Sequence, residues 1–252
     1  MKYYVIPNLN ELDKYLKLSN DFDLGFEYNE FFNPSLLDSS NLDSTIEEYK
    51  KLNRKNDTLH GVFYDICLDS TDSKIAKISY DRVKSSLEIA SKLNCKGVIF
   101  HTNYITWMKS KAYQQRWINK NKEVYLKLIE EFPNLEIYVE NMFDLDPYLL
   151  RDLMESINSD RIGVCLDVAH ASISNIDIKV WFDVLGKYIK HIHINDNDRI
   201  EDSHQELGKG KIDYKRVYEY INKLNDVSIL IEISDYEKTF NSIKYLKNNN
   251  LF

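Results

Sequence analysis

Eight short apolar segments alternate with segments of helical periodicity along the chain, and this alternation restricts the fold more than any other feature. The apolar segments are YYVIP (3–7), DLGFEY (23–28), DTLHGVF (57–63), GVIFHT (97–102), EIYVEN (136–141), RIGVCLDV (161–168), IKHIHIND (189–196) and SILIEIS (228–234). Several of them are apolar on both faces, as strands are inside a buried parallel sheet. The segments predicted to be helical are 43–54, 74–94, 114–131, 147–158, 176–188, 213–224 and 237–249.

Eight strands that alternate with helices in 252 residues predict a single (β/α)8 TIM barrel over residues 1–252. The alternative is an open, doubly wound sheet, which normally has a glycine-rich turn after its first strand. Here the first strand ends within VIPNLNEL, which contains no glycine, so the barrel is favoured. The chain has only seven glycines and four prolines and no linker-like stretch, which indicates one domain.

The composition disfavours several classes of protein. The chain has 33 basic and 40 acidic residues and a net charge of −7, whereas proteins that bind nucleic acid usually present a basic surface. The three cysteines form no CxxC pair, as is usual in a reducing compartment. The chain has neither an apolar run of membrane-spanning length nor a leader-like N-terminus, so we expect a cytoplasmic protein without a membrane partner.

Acids and histidines stand at or shortly after the ends of the predicted strands, where a barrel fold places functional side chains. They are His60, His101, Glu140, Asp167, His170, His193, Asp202, His204 and Glu232. Taken singly, each has an ordinary explanation: His60 fits a structural histidine, Asp167 a helix N-cap, and residues 196–206 a solvated loop.

Taken together, these side chains indicate a metal site. Carboxylates that share one mouth repel each other and resist joint ionisation, and a divalent cation removes that cost. Aspartate, glutamate and neutral histidine are the ligands of Zn²⁺, Mn²⁺ and Fe²⁺ sites. The set contains no cysteine, which disfavours a structural zinc finger.

The ordered stretches LHGVFYDI, VIFHTNY, IYVENMF, CLDVAHA, HIHINDND, DSHQELGKGKIDY and ILIEIS resemble the xylose isomerase-like TIM-barrel superfamily. That group includes sugar phosphate isomerases and epimerases and the AP endonuclease IV family, and the resemblance runs from about residue 23. The likeness to endonuclease IV implies that all nine side chains bind a cluster of two or three divalent ions, Zn²⁺ or Mn²⁺. The likeness to the simple epimerases implies one metal on Glu140, Asp167, His193 and Glu232, with His170 contacting the substrate.

The chain also departs from endonuclease IV. Its start, YYVIPNLNELDKY, lacks that family's Gly/His/Ser-rich strand end, and loops that penetrate DNA are not recognisable. Arg199 stands six residues after His193, at the spacing of a substrate-binding arginine in sugar epimerases.

The resemblance therefore implies an isomerase or epimerase for a small sugar or sugar phosphate, with an endonuclease IV-like metal cluster. In this interpretation Glu140 and Glu232 are the catalytic base and acid, and His170 and Arg199 bind the substrate. The alternatives are a metal-dependent phosphodiesterase that cleaves DNA as AP endonucleases do, and a non-catalytic barrel that binds metal or sugar. The sequence makes no prediction of the oligomeric state.

Overall fold

Eight parallel strands follow one another around a closed barrel in chain order, β1 to β8, in the computed structural model, which describes residues 1–252. Their bounds are β1 Lys2–Val5, β2 Gly25–Tyr28, β3 Thr58–His60, β4 Gly97–His101, β5 Glu136–Glu140, β6 Ile162–Asp167, β7 Ile189–Ile194 and β8 Ser228–Ile231. Each strand overlaps one of the eight apolar segments. The prediction of a (β/α)8 barrel is confirmed.

The chain has ten α-helices, of which the last follows β8 and the others lie between strands. They are α1 Leu12–Phe22, α2 Pro34–Leu37, α3 Leu42–Lys50, α4 Ser73–Lys92, α5 Lys111–Glu131, α6 Tyr148–Ile157, α7 Val168–Ile173, α8 Ile178–Leu185, α9 Tyr214–Ile221 and α10 Tyr236–Asn248. The sequence predicted all of them except α1, α2 and α7. Helix α1 was missed because its only buried apolar side chains are Tyr15 and Leu18, which is too few to make a clear periodic stripe.

Aspartates fix the starts of several helices. Asp72, Asp177, Asp213 and Asp235 each accept a backbone N–H of the following turn, at the starts of α4, α8, α9 and α10. Such caps satisfy amide groups that have no partner within the helix. Part of the acidic excess therefore has a local structural role.

The chain forms two compact units, and the prediction of one domain stays a prediction. The first unit comprises residues 1–27, 141–148 and 164–252. Within it β1 pairs with both β2 and β8, and β7 pairs with both β6 and β8. The polar strand ends of this unit lie on β6 and β7 and directly after β8.

The second unit comprises residues 28–140 and 149–163, and its sheet consists of β3, β4 and β5. All five residues of β4 are buried, as the apolar sequence of a parallel strand predicts. The register pairs His101 with Glu140, so the last residues of two neighbouring strands lie side by side. No helix in the protein is both long enough and apolar enough to cross a membrane.

Candidate metal centre

Three strand ends of the second unit bring His60, His101 and Glu140 together. Oε2 of Glu140 lies 3.6 Å from Nε2 of His60 and 3.4 Å from Nε2 of His101. The two imidazole Nε2 atoms are 3.2 Å apart. All three side chains are buried, and their ligand atoms lie within 4.8 Å of one another, which is the spacing of a metal-capable group.

The surroundings hold these imidazoles in place. Nδ1 of His60 lies 3.0 Å from the carbonyl oxygen of Gly61, so the N–H of the neutral ring is on Nδ1 and the lone pair is on Nε2. The ring of Phe63 stacks on His101 at 4.4 Å, and the ring of Phe32 packs edge-on against His60. Aromatic rings therefore pack against both imidazoles of the pair.

In the first unit, Asp167, His193 and Glu232 come from β6, β7 and the residue after β8. Asp167 and His193 are register partners, and Nδ1 of His193 lies 3.5 Å from Oε2 of Glu232. All three are buried, and their ligand atoms also fall within 4.8 Å of one another. Asp167 does cap a helix as well, because its Oδ1 accepts the backbone N–H of His170 at 2.6 Å.

A second group of the first unit consists of His170, Asp202 and His204. Oδ2 of Asp202 lies 3.1 Å from Nε2 of His170 and 3.0 Å from Nε2 of His204. The Nδ1 atoms face backbone carbonyl oxygens, that of Asn141 for His170 and that of Glu232 for His204, each at 2.9 Å. The structure thus brings together three residues that the sequence predicted to be metal ligands.

The electrostatics of this group call for positive charge. Burial opposes ionisation of Asp202, but hydrogen bonds from His170 and His204 outweigh it and hold the pKa of this carboxyl well below its usual range. Burial likewise opposes protonation of His204, yet Asp202 and Glu232 raise the pKa of this imidazole to about 10. A proton on an imidazole supplies positive charge beside the carboxylates here, and a divalent metal ion would supply more while displacing protons.

The loop after β7 is folded by Asp196, which is fully buried. Its carboxylate accepts the backbone N–H groups of Asn197, Gly208 and Ile212. The chain lies so close there that a β-carbon at Gly210 would collide with Asp196 Oδ1 and the carbonyl oxygen of Asn197. Asp196 and the glycine pair therefore position Asp202 and His204 without belonging to the ligand set.

The orientation of the histidines fits divalent metal. His60, His170 and His204 each face a backbone carbonyl with Nδ1 and a carboxylate with Nε2. Metal-binding histidines usually donate their second ring N–H to a carbonyl or a carboxylate, which fixes the tautomer. The nitrogen and oxygen donors suit Zn²⁺ or Mn²⁺.

Sequence reasoning missed two residues around these groups. Asn141 holds the backbone of Asp167, because its side chain accepts the N–H at 2.9 Å and donates to the carbonyl at 3.0 Å. Glu27 near the end of β2 is fully buried beside two histidines. The detectable signal was an acid between two aromatic residues, Phe26 and Tyr28, inside a short predicted strand.

Arg199 is exposed and has a positive φ of 68°. It lines a pocket with Ser172, Ile212 and Arg216. Its role in substrate binding stays a prediction.

A family model described as xylose isomerase-like TIM barrel matches residues 22–249. The chain belongs to this family. Among the curated relatives of this TIM-barrel chain, an uncharacterised protein of Methanocaldococcus jannaschii is 30% identical over 175 residues, which are 69% of the chain and 68% of the relative. A probable endonuclease 4 of Mycoplasma mobile is 27% identical over 213 residues, 74% of each protein.

Solved structures of the xylose isomerase-like fold superpose over the full chain. A D-tagatose 3-epimerase-like protein has a TM-score of 0.81 at 22% identity and covers 100% of this chain and 98% of its own. A Thermus thermophilus protein soaked with zinc chloride has a TM-score of 0.79 at 20% identity, with 99% of both chains covered. These structural similarities show the fold, and the proteins similar to this chain include both epimerase-like and endonuclease-like members.

Proposed function

We propose that this chain is a divalent-metal-dependent enzyme that isomerises or epimerises a small sugar or sugar phosphate. The observation that carries the metal site is the common orientation of His60, His170 and His204, whose Nε2 atoms face carboxylates while their Nδ1 atoms face carbonyl oxygens. We further propose that Glu140, Asp167, His193 and Glu232 all bind metal, as the resemblance to the simple epimerases implies.

The substrate class rests on charge and on family relationship. A net charge of −7 disfavours a polyanion, because phosphate backbones bind through clusters of lysine and arginine. The epimerase-like structure with a TM-score of 0.81 supports a sugar as the ligand of this fold.

The proposed chemistry is proton transfer between two carboxylates. When bound, a divalent ion would polarise a substrate carbonyl and stabilise the negative charge that develops on sugar oxygens. One of Glu140 and Glu232 removes a proton from the carbon beside the carbonyl, and the other returns it. Both are buried, so the transfer is shielded from water. In a one-metal site, His170 would hold a substrate hydroxyl group. Arg199 would hold a hydroxyl or phosphate group.

A second candidate, phosphoester hydrolysis, is favoured by one specific observation. His170 and His204 converge on Oδ2 of Asp202, and a one-metal epimerase does not need such a group. Two or three clustered ions would suit in-line attack on a phosphodiester. The 27% identity to a probable endonuclease 4 adds support.

Metal analysis combined with substrate screening tests the proposal. We expect two or three divalent ions per chain and turnover in a screen of keto and aldo sugars and their phosphates. Glu140→Gln and Glu232→Gln should each abolish that turnover, whereas Glu136→Gln, at the opposite end of β5, should retain it.

Each proposed function would be contradicted by a different experimental result. Retained activity in Glu140→Gln or Glu232→Gln would remove the acid–base role of that residue. Efficient cleavage of abasic-site duplex DNA at physiological salt would favour the hydrolase over the isomerase. Metal binding without turnover of any of these substrates would favour a binding barrel.

A further inference from the structure

Glu27 is a buried carboxylate between two histidines of β7, in a place that the proposed reaction does not use. Its Oε2 lies 3.2 Å from Nε2 of His191, and its Oε1 lies 3.2 Å from Nε2 of His193. All three side chains have no exposed surface. A buried charge is costly unless it is paired, so a carboxylate in the barrel core calls for a specific reason.

His191 uses both ring nitrogens inside the core. Nδ1 lies 2.7 Å from the hydroxyl of Ser228, and Nε2 contacts Glu27. The ring of Tyr4 packs edge-on against it. His191 therefore anchors one oxygen of Glu27 and leaves the other for His193.

The contacts of His191 also bear on the metal-capable group of Cys165, His191 and His193. His191 could bind a metal there only by giving up Ser228 or Glu27. These contacts thus favour a hydrogen-bonded core over a second, deeper metal site.

His193 is oriented the opposite way round from three other candidate histidine ligands. His60, His170 and His204 face carbonyl oxygens with Nδ1, but His193 faces Glu27 with Nε2 and Glu232 with Nδ1. The Nε2 atom of His193, which points away from Glu232, therefore faces the carboxylate of Glu27 and not a backbone carbonyl.

We propose that Glu27 is a positioning residue that holds the proton of His193 on Nε2 and so directs the Nδ1 lone pair to the metal. This inference rests on the proposed function, because it requires His193 to be a metal ligand. Glu27 itself touches neither metal nor substrate. Its negative charge makes the His193 imidazole a stronger donor, as carboxylate partners do for metal-binding histidines.

Glutamine at position 27 tests the idea because it keeps the shape and changes the donors. The two carboxylate oxygens of glutamate can each accept from one histidine N–H, whereas glutamine offers one acceptor and one donor group. One histidine must then change its tautomer or lose its contact. We expect the affinity for Zn²⁺ to fall about 10- to 100-fold in Glu27→Gln.

The experiment is a competition titration of the full chain with Zn²⁺ and a chromophoric chelator. Glu30→Gln is the matched control, because Glu30 is three positions away and hydrogen-bonds Tyr49 without contacting a candidate ligand. Its affinity for Zn²⁺ should match that of the wild type. In parallel, nitrogen-15 NMR of the zinc-loaded wild-type protein reports the protonated nitrogen of each imidazole, with His193 assigned by through-bond correlation.

The NMR measurement needs no variant and stands even if Glu27→Gln fails to fold. We expect the proton on Nε2 for His193 and on Nδ1 for His60, His170 and His204. A proton on Nδ1 of zinc-loaded His193, or unchanged Zn²⁺ affinity in folded Glu27→Gln, would overturn the role of Glu27 alone. Absence of Zn²⁺ binding by the wild type would overturn the proposed function itself.

Discussion

Nε2 of His170 and Oδ2 of Asp202 lie 3.1 Å apart, although 32 positions separate them in the chain. His170 is held by α7 and Asp202 by the loop after β7. Asn197 ties the two segments together, since its side chain donates to the carbonyl of Ala169 and accepts from the hydroxyl of Ser172. The contact between His170 and Asp202 therefore depends on how the loop after β7 packs against α7.

We predict that Asp202→Asn loses one metal ion per chain. If the ion is retained, we expect its affinity to fall by at least the roughly 10- to 100-fold that follows a change in a ligand's hydrogen-bond partner. Asparagine keeps the size of the side chain but removes the negative charge between the two imidazoles. Metal analysis after dialysis against a weak chelator measures the loss. Asp198→Asn is the control, because Asp198 only accepts backbone N–H groups of Ile200 and Glu201, which an amide oxygen also accepts. Unchanged metal content and unchanged metal affinity in Asp202→Asn would contradict a metal site formed by His170, Asp202 and His204.

Metal removal should lower the stability of the fold. Ligands that bind only the native state raise the free energy of unfolding, by about 2.7 kcal/mol at a free concentration about 100 times the dissociation constant. We therefore expect a strong chelator to lower the melting temperature, and added Zn²⁺ to restore it. Identical unfolding curves with chelator and with excess Zn²⁺ would argue against a native metal site. If a chelator also lowers the melting temperature of a variant that lacks His193 and Asp202, the chelator acts at another place in the protein.

The sequence predicts the ends of the barrel strands well because two patterns coincide there: the apolar run ends, and a polar side chain follows. The apolar run of each strand stops where its polar residue begins, as at His101 and Glu140. Parallel strands in a barrel present these ends at one mouth, so a set of candidate ligands can be named without knowing any distance.

Contacts that form only when the chain folds back on itself could not be predicted from the sequence. Glu27 resembles any acid on a short strand until His191 and His193, which lie far along the chain, are seen beside it. Asp196 resembles another strand-end acid, but its carboxylate is used by the backbone of its own loop. Long-range hydrogen bonds of this kind leave no periodic trace in the sequence.

Gly210 should be intolerant of a side chain. A β-carbon there would collide with Asp196 and Asn197, both of which are buried. We expect Gly210→Ala to lower the free energy of unfolding by about 1–3 kcal/mol, the usual cost of overpacking. Because the same loop carries Asp202 and His204, the variant should also bind less metal.

Gly186→Ala provides the comparison. Gly186 has helical backbone angles, φ −47° and ψ −42°, and the nearest atom to a β-carbon is 3.7 Å away. We expect this variant to gain about 0.4–1 kcal/mol in the free energy of unfolding, since alanine restricts the unfolded chain. Denaturant titration measures both variants. Equal effects would show that the loop around Asp196 is not closely packed in solution.

Trp107 should report ligand binding without contributing to the fold. It lies in the loop after β4 and is 78% exposed, whereas Trp117 and Trp181 are buried. Loops that follow barrel strands surround the mouth, so a sugar phosphate bound there should shield Trp107 from iodide quenching. Trp107→Ala should remove most of the iodide-sensitive fluorescence and change the free energy of unfolding by less than about 0.5 kcal/mol. If a compound that the enzyme accepts as a substrate leaves iodide quenching of the wild-type protein unchanged, this loop does not cover the bound ligand.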